Sequence, residues 1–393
     1  MQQKEKYYFI GMKPVRNINM AEPYFSKEDR QLIHAEIDNI LDGALSMGPN
    51  VQEFEKEFAA LVGVKYAIAM NSCTAALEVA LTSYNLGAGD EVIVPVETFI
   101  ATGMAIYHSG ATPVFSEISE KTFCLDLEDV KHRVTPQTRG IILVHMGGHI
   151  TPDILDIRKY CDHNNLFLIE DAAHAPGVKF NGKAVGSFGH VGCFSFYPTK
   201  VMTAGEGGML TTNDDHVANY ARSLQHRGRD MGSTLEQYVL PGRNIRMTEM
   251  AALLGRVQLS HLDEYLRIRQ QLARIYQTQL DSDDRLRLIL PDDLRASSYW
   301  KIPLLLRSEK ARFFVTENMK NKYSISVDWA YQPALHLQPI FKELYATKVG
   351  DLPRSESMLS RHICLPCHPR MTESEVTYVA CSLKESLDQF DAE

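Results

Sequence analysis

"FSFYPTKVMTAGEGGML", residues 194–210, carries an alternating apolar run to Tyr197, breaks at Pro198, and sets a lysine just before Ala204-Gly205-Glu206-Gly207-Gly208. Alternation of period two reads as a strand, and proline followed by clustered glycine reads as a turn. Lys200 is therefore expected at the end of a strand. A lysine placed there can be a solvated surface charge, a phosphate clamp or a covalent catalyst, and the residue alone does not separate the three.

Working outward, short apolar runs recur: "YAIAM" (66–70), "EVIVP" (91–95), "TPVFSEI" (112–118), "IILVHM" (141–146), "LFLIED" (166–171), "CFSFY" (193–197) and "GMLTTN" (208–213). Stretches of helical period separate most of them, such as "TAALEVALTSYN" and "DILDIRKYCDHNN". This alternation predicts an α/β domain with a mainly parallel sheet covered on both faces. Upstream, Ser26 to Gly43 reads as an amphipathic helix with Ser26 as N-cap. Beyond residue 215 the pattern changes. Residues 248–280 read as one long helix, "YWKIPLLLR" as a strand, and 372–387 as a terminal helix opened by a capping box of Thr372 and Glu375. The expected division is a large domain over 1–255 and a smaller α+β domain over 256–393.

Composition narrows the function class. Of 393 residues, 45% are hydrophobic and 23% charged, as in ordinary soluble globular proteins. A net charge of −8 without a polybasic block argues against nucleic acid or an anionic membrane surface as the main partner. No apolar run is long enough to span a bilayer, and "MQQKEKYYFIGMKPVRN" lacks the apolar stretch of a signal peptide. Seven scattered cysteines then read as reduced thiols in a cytoplasmic protein.

Four features fall at strand ends, where ligands gather in open α/β sheets. "MNSCTAAL" (70–77) opens a helix with small residues, offering free amides and a helix dipole to a phosphate, or simply a helix start capped by Thr74. It lacks the glycine pattern of a nucleotide-triphosphate loop. "LIEDAAHA" (168–175) ends an apolar strand with Glu170 and Asp171; a carboxylate there either caps a neighbouring loop or meets a cation. Phe99 in "VETFIATGMA" (96–105) is a core residue or a stacking platform for a flat ring. The fourth feature is Lys200 itself, with Ser195 and Thr199 before it; imine formation requires the amine to lose its charge, which burial favours. Phosphate cradle, stacking aromatic, carboxylate for a ring nitrogen and imine-forming lysine are together the parts of a pyridoxal 5′-phosphate site.

The motifs "NSCTAAL", "GDEVIVPVETFIAT", "IEDAAHAPG", "GHVGCFSFYPTK…TAGEGGMLTTND", "RNIRMTEMAALLG", "ALHLQPIF" and "LPCHPRMTESEV", in that order, resemble the DegT/DnrJ/EryC1/StrS family of sugar aminotransferases. The resemblance runs from about Asn50 to Val376. It implies a fold-type-I, aspartate-aminotransferase-like chain with a mainly parallel seven-stranded sheet, working as a homodimer with shared active sites. Lys200 would hold pyridoxal 5′-phosphate covalently, Asp171 would pair with its ring nitrogen, and His174 would lie near the ring hydroxyl. Ser195, Cys73 and Thr74 would bind the phosphate, Phe99 would stack on the ring, and Asn244 would reach the phosphate of the neighbouring subunit. Where the family usually has glycine this chain has Cys73, so the backbone contact is the firmer expectation. The implied reaction moves an amino group from glutamate or glutamine to a ketone on a nucleotide-linked deoxysugar, or on a cyclitol. A dehydratase branch replaces the lysine by histidine, which Lys200 argues against. A nicotinamide-dependent sugar enzyme is disfavoured by the missing G-x-G-x-x-G after the first strand.

Three further signals carry less weight. "CLPCH" (364–368) has haem-attachment spacing without export or a second cysteine pair. "HMGGH" (145–149) has glycines that oppose a metal-binding helix, which leaves loop histidines near the substrate. "GAGDE" (87–91) precedes a strand instead of following one. No metal site is expected.

Overall fold

The strand that leads to Lys200 lies near the middle of a seven-stranded sheet. The computed structural model describes residues 16–392; most of the N-terminal stretch read for a leader, residues 1–15, lies outside them. The strands are β1 (Tyr66–Met70), β2 (Glu91–Pro95), β3 (Thr112–Ser116), β4 (Thr138–Val144) and β5 (Phe167–Asp171). A short hairpin follows, β6 (Lys179–Phe180) with β7 (Lys183–Ala184), and then β8 (Val191–Ser195) and β9 (Gly208–Thr212). The sheet order is β1-β9-β8-β5-β4-β2-β3. Only β9 runs against the others, pairing antiparallel with both β1 and β8. Ile68, Ile93, Ile142, Ile169 and Phe194 are fully buried, as expected for strands covered on both faces.

The reversed β9 follows from a connection that contains no helix. Parallel neighbours need a crossover of a dozen or more residues, usually a helix, whereas antiparallel ones need only a turn. Residues 196–207 turn back on themselves instead, closed by Phe196 N–H to Gly207 O at 2.9 Å and Ala204 N–H to Phe196 O at 2.9 Å. That turn holds Lys200 over the carboxyl ends of the parallel strands.

A second sheet, β10 (Leu286–Leu288), β11 (Ile302–Leu306) and β12 (His362–Leu365), is antiparallel throughout. Helices Leu262–Leu280, Glu309–Tyr323 and Glu373–Ala392 pack with it around Tyr276, Met319, Ile363 and Val379. Ile18 joins this core, bridging to Ile325.

Several expectations need correction. The helix expected over 248–280 is two, Glu249–Ser260 and Leu262–Leu280, which meet at His261 with φ −105° and ψ 0°. His261 is anchored to Asp29 at 2.8 Å, so the first helix keeps its packing on the N-terminal segment while the second departs. Ser72, not Thr74, caps the helix Cys73–Thr82, its hydroxyl accepting the Ala75 amide at 3.1 Å. The strand expected at 193–197 spans 191–195, and the one expected at 141–146 spans 138–144. Both capping residues at the chain ends are as read: Ser26 accepts the Asp29 amide, and Thr372 and Glu375 exchange bonds at 3.2 and 2.8 Å.

Candidate active site

At the carboxyl ends of β1, β2, β4, β5 and β8 lies a cavity of about 500 Å³. Its walls collect Cys73, Thr74, Phe99, Asp171, His174, Ser195 and Lys200, every candidate from the sequence except Asn244. Asn244 is exposed, bridged to His226 outside the cavity.

One end is an anion cradle. The first amides of the helix Cys73–Thr82 have no partner inside the helix and carry its positive dipole end. Gly208 sits in register with Met70 on one side and Ser195 on the other. A β-carbon at Gly208 would lie 2.3 Å from the Ser72 carbonyl carbon and 2.5 Å from the Cys73 amide nitrogen, so only glycine admits this approach. Burial pushes the Cys73 thiol well above its ordinary value, keeping it protonated beside the cradle.

At the other end Asp171 closes β5. Its Oδ2 accepts from Thr102 Oγ1 at 2.9 Å and its Oδ1 from the Ala173 amide at 3.2 Å. Burial raises its pKa, and these bonds together with the charge of Lys200 pull it partly back. A buried carboxylate in that balance suits a cationic ligand atom. His174 stacks on Trp300 with ring centres 3.8 Å apart, and its Nε2 bonds Tyr331 Oη at 2.9 Å. Its buried Nδ1 has no partner, and burial with the nearby lysines holds the ring neutral.

Lys200 reaches into the same space, its Nζ 4.3 Å from the centre of the Trp300 ring. Burial lowers its pKa from 10.5 to about 8, with Lys301 pushing the same way against Asp171 and Cys73. The amine thus reaches its neutral, nucleophilic form near physiological pH. Phe99, 53% exposed, stands at the mouth 5.6 Å from Tyr331.

The residues present fit pyridoxal phosphate: an amide cradle that a side chain at 208 would fill, a buried carboxylate suited to a ring nitrogen, an unpartnered imidazole nitrogen and a deprotonatable lysine. Sequence reading missed Thr102, Trp300, Lys301 and Tyr331 on the cavity wall. Thr102 had a signal, since it follows Thr98 by one helical turn and bonds it at 2.8 Å. The other three arrive from the second half of the chain, and no spacing rule connects them to Lys200.

The histidines of "HMGGH" do not line the cavity, although His145 lies beside it, its amide donating to the Asp171 carbonyl at 3.1 Å. Gly147 and Gly148, at φ +67° and +92°, fold the segment into a tight turn. His145 is buried against Glu170 at 2.9 Å and His149 against Ser297 at 2.8 Å. Glu170 also accepts the Gly186 and Gly189 amides, so it secures the loop before β8. The "CLPCH" cysteines, Cys364 and Cys367, are buried free thiols.

The model of the DegT/DnrJ/EryC1/StrS aminotransferase family matches residues 27–384. The spore coat polysaccharide biosynthesis protein SpsC of Bacillus subtilis is 36% identical over 379 residues, covering 92% of this chain and 95% of that one. The GDP-perosamine synthase of Escherichia coli O157:H7 is 32% identical over 372 residues, covering 94% and 99%. Among solved structures, NtdA from Bacillus subtilis with bound cofactor PMP superposes with a TM-score of 0.85 at 26% identity, covering 93% of this chain and 83% of NtdA. Fold, site geometry and family model agree: the chain belongs to the DegT/DnrJ/EryC1/StrS aminotransferase family.

Proposed function

We propose that this chain is a pyridoxal 5′-phosphate-dependent aminotransferase that takes an amino group from glutamate or glutamine and delivers it to a keto group on a nucleotide-linked deoxysugar. The observation that carries the reading is the half-buried Lys200, its pKa brought down to about 8 in one cavity with Asp171 and the amide cradle. The nucleotide-sugar substrate is supported by the GDP-perosamine synthase relative, and the cofactor by PMP, the aminated form of pyridoxal phosphate, in NtdA.

When bound, pyridoxal phosphate supplies the electron sink that makes the α-proton of an amino acid removable. The Cys73 and Thr74 amides with Ser195 would hold its phosphate, and Phe99 would stack on its ring. Asp171 would keep a proton on the ring nitrogen. Lys200 Nζ would take the proton from the substrate α-carbon and hold it for return, which its lowered basicity permits in both directions. Mixing the purified protein with glutamate and a panel of keto-sugar nucleotides, while following cofactor absorbance, should show loading by the amino acid and discharge by at least one keto-sugar. No spectral change with any amino donor would refute the reading.

The family resemblance extends this reading to a dimer with shared sites, in which Asn244, exposed and off the wall of the described cavity, would serve the neighbouring subunit. Subunit complementation tests this. Two inactive variants, Lys200→Ala and Asn244→Glu, should recover part of the activity when mixed, since heterodimers put both lesions in one site and leave the other whole. No recovery in demonstrated heterodimers would overturn it. We place the protein in the cytoplasm; no helix among the described residues is long and apolar enough to cross a membrane.

A further inference from the structure

Two amines share one indole ring. Lys200 Nζ lies 4.3 Å and Lys301 Nζ 4.6 Å from the centre of Trp300, so they cannot be farther apart than those two distances laid end to end. Trp300 is itself fixed, its Nε1–H donating to the carbonyl of Thr199 at 2.7 Å and its ring stacked on His174. Lys301 borders the cavity at 9% exposure, and among the described residues it is the only lysine or arginine besides Lys200 on that wall.

Among the groups around Lys301, Asp328 is the one that offsets its charge. Asp328 bonds its Nζ at 2.7 Å but does not border the cavity. Glu97 is fully buried with neither carboxylate oxygen partnered, and burial pushes its pKa well up, so it stays uncharged. His362, 3.8 Å from Glu97, is held neutral by burial, its pKa about 4, and the buried Cys364 thiol stays protonated. On the Lys200 side stand Asp171, Cys73, His174, Tyr331 and Glu206. Of these Asp171 is the buried acid able to favour an ammonium, while Cys73, His174 and Tyr331 are neutral near pH 7.

We propose that Lys301 is a positioning residue for amino transfer: its ammonium, held against the same indole ring as the reacting amine, keeps Lys200 unprotonated at working pH. The inference rests on the reading of Lys200 as the reacting amine. It assigns to the second sheet an electrostatic part in the chemistry, delivered by adjacent residues: Trp300 packs on the lysine segment and Lys301 carries the charge.

The test reads Lys200 directly, without cofactor. The pH dependence of its labelling by an amine-selective reagent is followed by peptide mapping in the full cofactor-free chain. Lys301→Met, which keeps the stem and removes the charge, should move the inflexion up by about one pH unit, the size expected for two unit charges under about 10 Å apart at intermediate dielectric. Lys301→Arg should stay near wild type, and Asp328→Asn, which frees the charge, should move the inflexion down. In the holoenzyme the basic shift should reappear in the titration of the cofactor's visible band. An unmoved inflexion in Lys301→Met, or an equal shift in Lys301→Arg, would overturn the proposal. If Lys301→Met fails to fold, Asp328→Asn decides alone: an inflexion that stays or rises refutes it. A wild-type Lys200 that titrates like a free lysine would instead refute the underlying reading, so the two failures are distinguishable.

Discussion

Lys200→Ala is expected to lose at least about four orders of magnitude in transamination, because in the proposed reaction one side chain would supply both the covalent anchor and the proton shuttle. No other lysine can substitute at the strand-end turn. Lys301 is tethered to Asp328 and sits just ahead of β11, in the second sheet's segment. The loss should be chemical and not structural. Burial already disfavours the charged amine, so its removal deletes a costly group, and the melting temperature should stay within a few degrees of wild type. Borohydride reduction of the wild-type holoenzyme followed by peptide mapping should place the cofactor on Lys200. Label on another lysine, or a Lys200→Ala chain that still turns over, would remove Lys200 from the chemistry.

Asp171→Asn is expected to cost about two to three orders of magnitude in kcat, in line with removing one preorganised electrostatic contact from a dry site. The substitution keeps the shape and one oxygen able to accept from Thr102 or Ala173, and gives up the charge and the other acceptor. Since burial raises the Asp171 pKa, the neutral amide should fold at least as well as the carboxylate. Activity within a few-fold of wild type would make Asp171 a strand-end cap and nothing more.

Much of this site is legible in the sequence because its parts lie at consecutive strand ends. Asp171 closes β5, Ser195 closes β8, and Cys73 follows β1 within three residues, so a correct strand assignment already gathers them. Small-residue helix starts and acids ending apolar strands are local signals. Trp300, Lys301 and Tyr331 give no such signal, because their relation to Lys200 exists only once the second sheet docks against the first. The break at His261 is hidden because apolar periodicity runs through it unbroken, and the anchor that redirects the chain, Asp29, is 232 residues away. His145 and His149 are misplaced by sequence reading for a related reason. Their partners, Glu170 and Ser297, turn polar loop residues into buried ones, and Ser297 lies 148 positions along the chain.

The reversal of β9 has a mechanical consequence. Gly208 pairs simultaneously with Met70 and Ser195, so the amide cradle, Ser195 and the turn bearing Lys200 all hang from one three-strand ladder. The span between anion anchor and reacting amine is thereby set by rigid local backbone pairing, like the jaws of a fixed-gap calliper. Trp300 is tied to the same turn through the Thr199 carbonyl at 2.7 Å, so the indole wall is referenced to that fixed gap as well.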